Sequence, residues 1–168
     1  MSRSEQFTLC IGCRAGGAEN VGQEDEPLGR IVIADFVEHF RTDLCFWSKQ
    51  DYWRSWLAAI EVLEEQGHAA SCLVTSIADP GSSHVAMCWP LYREGERVFV
   101  QNAMIIFDDL PVPFDIDRPW LSIQPHTTVD EDGNRISEWS TDMESVREFG
   151  RRIAAHVNHP ECLCEPGS

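Results

Sequence analysis

The sequence predicts a single α+β domain in which two main helices pack on a mostly antiparallel sheet. The apolar pattern runs in the order strand, helix, several strands, helix. Short glycine-containing loops join the later strands and favour hairpins, which are antiparallel. With 168 residues, 43% of them hydrophobic and six of them tryptophan, the chain can bury one core without metals or disulfides.

Both ends of the chain are predicted to lie outside this domain. Residues 1–30 are expected to form an N-terminal strand and a flexible loop, because Arg14–Arg30 is rich in glycine and acids. The α+β domain is expected to span residues 31–158, followed by a Cys/His tail at 159–168. Within the domain, the β-branched and aromatic segment Ile31–Trp47 predicts one or two strands.

The first helix has a clear beginning and end in the sequence. Ser48 with Asp51 three residues later resembles a capping box, and Gly67 supplies a stop. Apolar residues at helical spacing predict which face of this helix is buried, and its two tryptophans are expected to lie in the core. The predicted buried face consists of Tyr52, Trp53, Trp56, Leu57, Ile60 and Leu63.

Strand patterns follow the first helix. A short apolar run at Ser71–Ile77 ends at an Asp-Pro-Gly turn, and Val85–Arg93 and Arg97–Phe107 predict a hairpin across Glu94-Gly95-Glu96. A second hairpin is predicted to join Trp120–Val129 with Asn134–Ser140 across the sequence DEDG.

The last predicted element is a helix. Thr141 with Glu144 is a second S/T-x-x-E capping pattern, and the helix is expected to pack through Val146, Phe149, Ile153 and Val157.

The chain is strongly acidic, with 28 Asp plus Glu against 13 Lys plus Arg and a formal net charge of -15 at pH 7. Such a field repels nucleic acid and anionic lipid and attracts basic proteins. Acidic surfaces also simply keep proteins in solution. Composition alone does not decide between these two uses of the charge.

The sequence carries no apolar window long enough for a membrane span and no secretory start, so we expect a cytoplasmic protein without membrane attachment. Its seven cysteines are then expected to be reduced. The spacing of Cys10 and Cys13 resembles half of a four-ligand zinc site, and two of the tail residues His156, His159, Cys162 and Cys164 would complete it if the termini met. We predict no cofactor and no metal, with this zinc site as the alternative.

No phosphate loop, nucleophile elbow, HExxH or GxGxxG motif is present in the sequence. His84, at the start of a predicted strand, and His126, near the second hairpin, are the candidates for acid–base chemistry with a carboxylate. His84 has an ordinary explanation as a residue at the start of a strand after a serine turn, and with six histidines some proximity of His126 to a carboxylate is expected by chance. The prediction is that the protein is not an enzyme.

The segment FDDLPVPFDID places Asp108, Asp109, Asp115 and Asp117 among apolar residues and two prolines, and DEDG adds Asp130, Glu131 and Asp132. A calcium loop needs oxygen ligands at alternate positions around a glycine bend, which FDDLPVPFDID lacks. Paired carboxylates for glycosidase-type chemistry have no further support in the sequence. The remaining interpretation is that FDDLPVPFDID forms an ordered, extended and acidic edge of the domain.

Several segments in a fixed order resemble the immunity proteins of contact-dependent growth inhibition and related polymorphic toxin systems. They are Tyr52-Trp53, Ser55-Trp56, LVTSIADP at Leu73–Pro80, WPLYREGERVFVQN at Trp89–Asn102, and ISEW at Ile136–Trp139. The resemblance runs from about Trp47 to Phe149. At the matching positions it implies Trp53, Trp56 and Trp89 in the core, turns at Pro80 and Gly95, and a buried polar contact at Asn102.

The resemblance implies a protein that binds and neutralises the C-terminal domain of a cognate bacterial toxin, with no catalytic residues of its own. Many toxins of these systems are nucleases, whose active sites are electropositive, so the expected partner is basic. On this interpretation the seven acids of FDDLPVPFDID and DEDG are candidate toxin contacts. The alternatives are an acidic binding module of another pathway, or a small hydrolase that uses His84 or His126.

Overall fold

A computed structural model describes residues 6–12 and 28–157. Its order of elements is three strands, a helix, five strands and a helix, which confirms the α+β class. The bounds are β1 (Phe7–Ile11), β2 (Leu28–Ile33), β3 (Phe36–Arg41), α1 (Lys49–Glu65), β4 (His68–Ile77), β5 (Val85–Glu94), β6 (Arg97–Gln101), β7 (Ala103–Ile106), β8 (Glu138–Asp142) and α2 (Met143–Val157).

The strands form two antiparallel sheets rather than one. β1, β2 and β3 make a three-stranded sheet in that order. The second sheet has the order β4-β5-β6-β8, and β7 also pairs with β5. β6 and β7 therefore lie end to end along the same side of β5, and β8 lies beside β6.

The predicted strand Arg97–Phe107 is interrupted at Asn102. The β5–β6 and β5–β7 ladders keep one register, in which Pro90 faces Gln101 and Trp89 faces Asn102. Pro90 has no N–H to donate, and a sheet ladder loses a hydrogen bond at a proline. The break at Asn102 therefore lies next to the position opposite Pro90, where the ladder lacks a hydrogen bond. Asn102 itself is exposed, so the expectation of a buried polar contact there is wrong.

The predicted start of α1 is confirmed. The Ser48 hydroxyl accepts from the Asp51 N–H, and the Asp51 carboxylate accepts from the Ser48 N–H at 2.9 Å, which completes a capping box. Apart from Leu57, the predicted apolar residues of α1 are buried, together with Ala59.

α2 begins one residue later than the sequence pattern indicates. Thr141 lies within β8, and the Asp142 carboxylate accepts a hydrogen bond of 2.6 Å from the Ser145 N–H. Asp142 is therefore the residue that caps the helix. Val146, Phe149 and Ile153 are buried as predicted.

The second predicted hairpin is wrong for most of its length. Pro119–Ser122 is a 3₁₀ turn, the following residues form a loop, and β8 pairs with β6 instead. Only the tip reverses as expected, through a single bridge between Val129 and Arg135.

One core joins both sheets to both helices. Trp56 and Trp89 are among its largest fully buried side chains, and Trp53 is 2% exposed, so the three tryptophans lie in the core as expected. Between the sheets, Phe36 of β3 stacks on Trp139 of β8 with ring centroids 4.0 Å apart. Within the described ranges, neither helix has the length and apolar character needed to cross a membrane.

Candidate functional site

The described residues form a groove of about 660 Å³. One wall is the segment 102–106, which contains β7, and it continues to Asp109 and Leu110. The other wall is the loop 122–131, with Ile136 beside it. Its volume lies within the range of roughly 300–1,000 Å³ typical of ligand sites. The groove lies between Asp109 of FDDLPVPFDID and the first two acids of DEDG, Asp130 and Glu131.

The structure brings three of the seven candidate acids to this groove. Asp109 lies on the β7 wall, and Asp130 and Glu131 lie on the opposite wall. Among the described residues that line the groove there is no lysine and no arginine. Its potential is therefore set by carboxylates, a property that suits a basic group of a partner.

Asp115 is tied to its own turn. Its carboxylate accepts from the Arg118 side chain, with the Arg118 Nε 2.9 Å away and Nη2 2.7 Å away, and from the backbone N–H groups of Asp117 and Arg118. The hydrogen bond from the Arg118 guanidinium is the main reason why the pKa of Asp115 is lowered. A carboxylate with so many partners mainly holds the loop in shape.

Asp130 has the same kind of role at the DEDG turn. Its carboxylate accepts from the backbone N–H groups of Asp132 and Asn134 and from the Asn134 amide. The backbone hydrogen bond from Asn134 is the largest cause of its lowered pKa. Gly133 has a φ of 82°, a left-handed conformation that glycine adopts without strain. The turn is thus built by Asp130 and Gly133.

The remaining acids differ in their partners. Asp108 lies 3.2 Å from the His84 ring in an exposed pair. Across residues 6–12 and 28–157, the carboxylates of Asp109, Asp117, Glu131 and Asp132 make no hydrogen bond or ion pair. These four exposed carboxylates can meet a partner without first losing an internal contact; we call them the unpaired acids.

The loop that forms the far wall is fastened to the sheet through His126. Its ring stacks on Tyr92 and on Phe99, with centroid distances of 4.7 and 5.2 Å, and its Nε2 lies 2.6 Å from the Glu138 carboxylate. Glu138 also accepts from Gln101 at 2.7 Å. The anchoring role of His126 was not predicted from the sequence, because it depends on β5, β6 and β8 meeting at this ring.

Two further hydrogen bonds hold the same loop. The Tyr92 hydroxyl donates to the Gln124 carbonyl at 2.8 Å, and the Gln101 amide donates to the Thr127 carbonyl at 2.9 Å. Burial is the main cause that raises the pKa of Tyr92 to about 12. The groove is therefore preformed, with a wall that several side chains hold in place.

The geometry of His126 suits an anchor better than a general base. Its second nitrogen, Nδ1, faces the Glu94 carboxylate at 3.7 Å, so both ring nitrogens lie near carboxylates. The ring also stacks on Tyr92 and Phe99. A ring held by these contacts has an anchoring role that needs no catalytic explanation.

The zinc alternative involves residues mostly outside the described ranges, namely Cys13, His159, Cys162 and Cys164. Cys10 is buried on β1, and burial raises the pKa of its thiol. Within residues 6–12 and 28–157, no three His, Cys, Asp or Glu side chains are placed to share a metal ion. The alternative stays a prediction.

These features describe a small α+β domain with an acidic groove suited to a basic partner. A family model described as the CdiI N-terminal domain matches residues 42–149, more than half of the chain. The chain therefore belongs to the CdiI N-terminal domain family. This finding confirms the predicted resemblance to immunity proteins of contact-dependent growth inhibition.

Two relatives support this assignment. The chain is 38% identical over 136 residues to the "Immunity protein CdiI" of Enterobacter cloacae subsp. cloacae, an alignment that covers 78% of this chain and 90% of the relative. Its structure matches a chain of the "CdiA-CT/CdiI toxin and immunity complex from Enterobacter cloacae" with a TM-score of 0.74 and 33% identity. This structural match covers 89% of this chain and 99% of the other.

Proposed function

We propose that this protein is an immunity protein that binds and neutralises the C-terminal domain of a cognate toxin in the cytosol, by protein–protein binding and without catalysis. The observation that carries the proposal is its likeness to a chain of a toxin and immunity complex over nearly the full length of that chain. The curated relative of the same family, an immunity protein by name, supports the same function.

The proposed partner is basic, and a nuclease domain is the class that best fits. The net charge of -15 attracts a positively charged protein over long range, which raises the association rate. An electropositive active site that holds phosphates would also complement carboxylates at close range. We propose that the acidic segments on either side of the groove form the toxin-facing surface.

The unpaired acids are the most direct contacts in this proposal. Asp109 and Glu131 line the groove from opposite walls, and Asp117 and Asp132 lie near them in sequence on exposed segments. Asp115 and Asp130 would contribute mainly by holding these segments in shape. Asp108 lies 3.2 Å from the exposed His84 ring and is therefore less available to a partner than the unpaired acids.

The first test is whether co-expression with the toxin domain encoded directly upstream restores growth and gives a co-purifying complex. If growth is not restored and the two proteins do not associate, the proposed function is wrong. Purified toxin domain then allows the dissociation constant and the association rate to be measured at several salt concentrations.

The second test uses two variants of equal charge. One variant carries amides at the unpaired acids, as Asp109→Asn, Asp117→Asn, Glu131→Gln and Asp132→Asn. The control carries amides at four exposed acids elsewhere on the molecule, Asp35, Glu61, Glu65 and Glu148.

Both variants change the net charge by the same amount, so long-range attraction weakens similarly in both. We expect the first variant to bind the toxin domain at least about tenfold more weakly than the control at physiological salt, because close charge pairs contribute beyond steering. Equal losses for the two variants would show that the acids act through total charge alone, and the proposed surface would be wrong.

A further inference from the structure

β7 presents a sheet edge to the groove that no described strand occupies. Five consecutive residues, 102–106, line the groove. Because side chains of a strand alternate between the two faces of its sheet, an unbroken run of lining residues indicates that the backbone edge itself faces the groove.

The direction of the backbone groups follows from the register. Phe107 N donates to His84 O at 2.9 Å, and β7 continues this register with Ile105 opposite Ala86. In an antiparallel ladder the N–H and C=O groups of successive residues point to opposite sides. The backbone groups of Ile105 therefore point to β5, while those of Met104 and Ile106 point away from it, towards the groove.

The neighbouring ladder agrees with this assignment. Met143 N donates to Glu96 O at 2.8 Å, so along β6 the backbone N–H and C=O groups of the even-numbered residues point towards β8. β8 pairs along β6 only as far as Gln101, opposite Glu138, and does not continue along β7. Among the described residues, no group outside the β5 ladder hydrogen-bonds the backbone of Met104 or Ile106.

The side chains next to this edge are apolar and exposed. Met104 is 56% exposed and Ile106 is 43% exposed, while Ile105 between them is 4% exposed and belongs to the core. Met87 lies opposite Met104 on β5 and is 36% exposed. A short edge with unused backbone groups and an apolar surface is a template for an added strand.

We propose that the β7 edge receives an extended segment of the toxin domain as an additional antiparallel or parallel strand. The added strand would bond the backbone of Met104 and Ile106. Its apolar side chains would pack on Met104, Ile106 and Met87, and lysine or arginine side chains would reach Asp109 and Glu131. This inference rests on the proposed function and adds the mode of binding.

The negative charge of the groove favours the toxin domain over a second copy of this chain as the source of the added strand. Pairing of two β7 edges would bring Asp109, Asp130 and Glu131 of both copies close together, and the described residues that line the groove include no lysine or arginine to offset them. Like charges at short distance oppose such a dimer, whereas a basic segment of the toxin relieves the same repulsion.

Proline at position 104 tests the proposal, because it removes the N–H that faces the groove and leaves the bonds to β5 intact. We expect Met104→Pro to bind the toxin domain at least about tenfold more weakly than Met104→Ala, which keeps the N–H and loses the side chain. A second control is Val37→Pro, at an exposed apolar position of β3, the strand at one edge of the other sheet, which should bind as the unmodified protein does. Circular dichroism and the unfolding midpoint show which variants are folded.

Amide hydrogen exchange by NMR provides a test that needs no variant. In the isolated protein, the Met104 and Ile106 amides should exchange fast and the Ile105 amide slowly. In the complex with the toxin domain, Met104 and Ile106 should become protected. Unchanged exchange in a stable complex would overturn the inference while leaving the proposed function intact.

Two other results would also overturn it. Equal binding by folded Met104→Pro and Met104→Ala would show that the backbone edge is not used. Slow exchange of Met104 in the isolated protein, with a dimer in analytical ultracentrifugation, would assign the edge to a second copy. If the unmodified protein neither binds nor neutralises the toxin domain, the proposed function fails first, and the two failures are thus distinguishable.

Discussion

Replacing Arg93 by methionine should destabilise the fold by about 2–4 kcal/mol. Arg93 lies on β5 and is only 8% exposed. Its Nη1 donates to the Leu63 carbonyl at 2.9 Å and approaches the Glu64 carbonyl at 3.4 Å, and its Nε donates to the Gly95 carbonyl at 2.7 Å. α1 has no basic residue in its last turn, so Arg93 supplies both hydrogen bonds and positive charge to carbonyl groups that a helix end leaves without partners.

The magnitude follows from the hydrogen bonds lost. Each strong bond from a charged donor is worth about 1.5–3 kcal/mol, and Arg93 makes two with distances under 3 Å. Removal of a buried charge and partial hydration of the carbonyls recover some of this sum, which leaves about 2–4 kcal/mol. Methionine keeps most of the aliphatic packing, so the change isolates the polar contribution.

The assay is thermal and urea-induced unfolding followed by circular dichroism. A loss of this size lowers the melting temperature by roughly 4–16 °C for a chain of this length. The control is Glu96→Gln, which removes the exposed partner of the Arg93 salt bridge and should change stability by no more than about 0.5 kcal/mol. If Arg93→Met unfolds within about 0.5 kcal/mol of the unmodified protein, the role assigned to Arg93 at the end of α1 is wrong.

Three further outcomes are expected. Burial raises the pKa of Tyr52, like that of Tyr92, from 10.0 to about 12, so native protein should show little tyrosinate absorbance near pH 10. Because the pKa of each tyrosine is higher in the folded than in the unfolded protein, the stability that the two protonated hydroxyls contribute is complete below pH 10 and is lost as the pH rises through 12. Ionisation of these tyrosines in folded protein near pH 10 would contradict this expectation. Tyr52→Phe should cost about 1–3 kcal/mol in urea unfolding, since the hydroxyl accepts from the buried Ile77 N–H at 3.0 Å, and a cost near zero would mean that another acceptor replaces it. His126→Ala should cost about 1–3 kcal/mol through its two ring contacts and its contact with Glu138, and should also weaken toxin binding; unchanged stability would argue against its anchoring role.

Local patterns in the sequence predicted local structure well. The capping box at Ser48 and Asp51 and the apolar spacing of α1 depend on residues within one or two helical turns of each other, and both are present. The pairing of β5 with β6, which follows Gly95, was equally predictable from the sequence, because a short glycine-containing loop favours a hairpin.

The predictions of secondary structure that were wrong have a common physical cause, which is pairing with residues that are distant in the sequence. Trp120–Val129 has strand-like composition, but residues 138–140 of its predicted partner pair with β6 as part of β8 instead. The first turn of α2 shows the same effect on a smaller scale, because the pairing of Thr141 with Val98 keeps that residue in β8 and moves the cap to Asp142. Propensity is a weak guide where tertiary pairing decides.

The acids of the candidate site were visible in the sequence, but their individual roles were not. The sequence alone does not distinguish Asp115 and Asp130 from Asp117 and Asp132. Only the turn geometry shows that the first two accept several hydrogen bonds and that the second two accept none in the described part of the chain. The free edge of β7 was also beyond sequence reasoning, because it depends on where β8 stops.

This difference between the acids has a consequence for how binding specificity can change. A substitution at Asp115 or Asp130 alters the shape of a loop, because the backbone N–H groups that these carboxylates hold lose their acceptor. A substitution at Asp117 or Asp132 alters only the charge that the loop carries. If the proposed surface is correct, the charge facing a toxin can therefore be varied without disturbing the loops that carry it, since the carboxylates that build the loops and those that face outward belong to different residues.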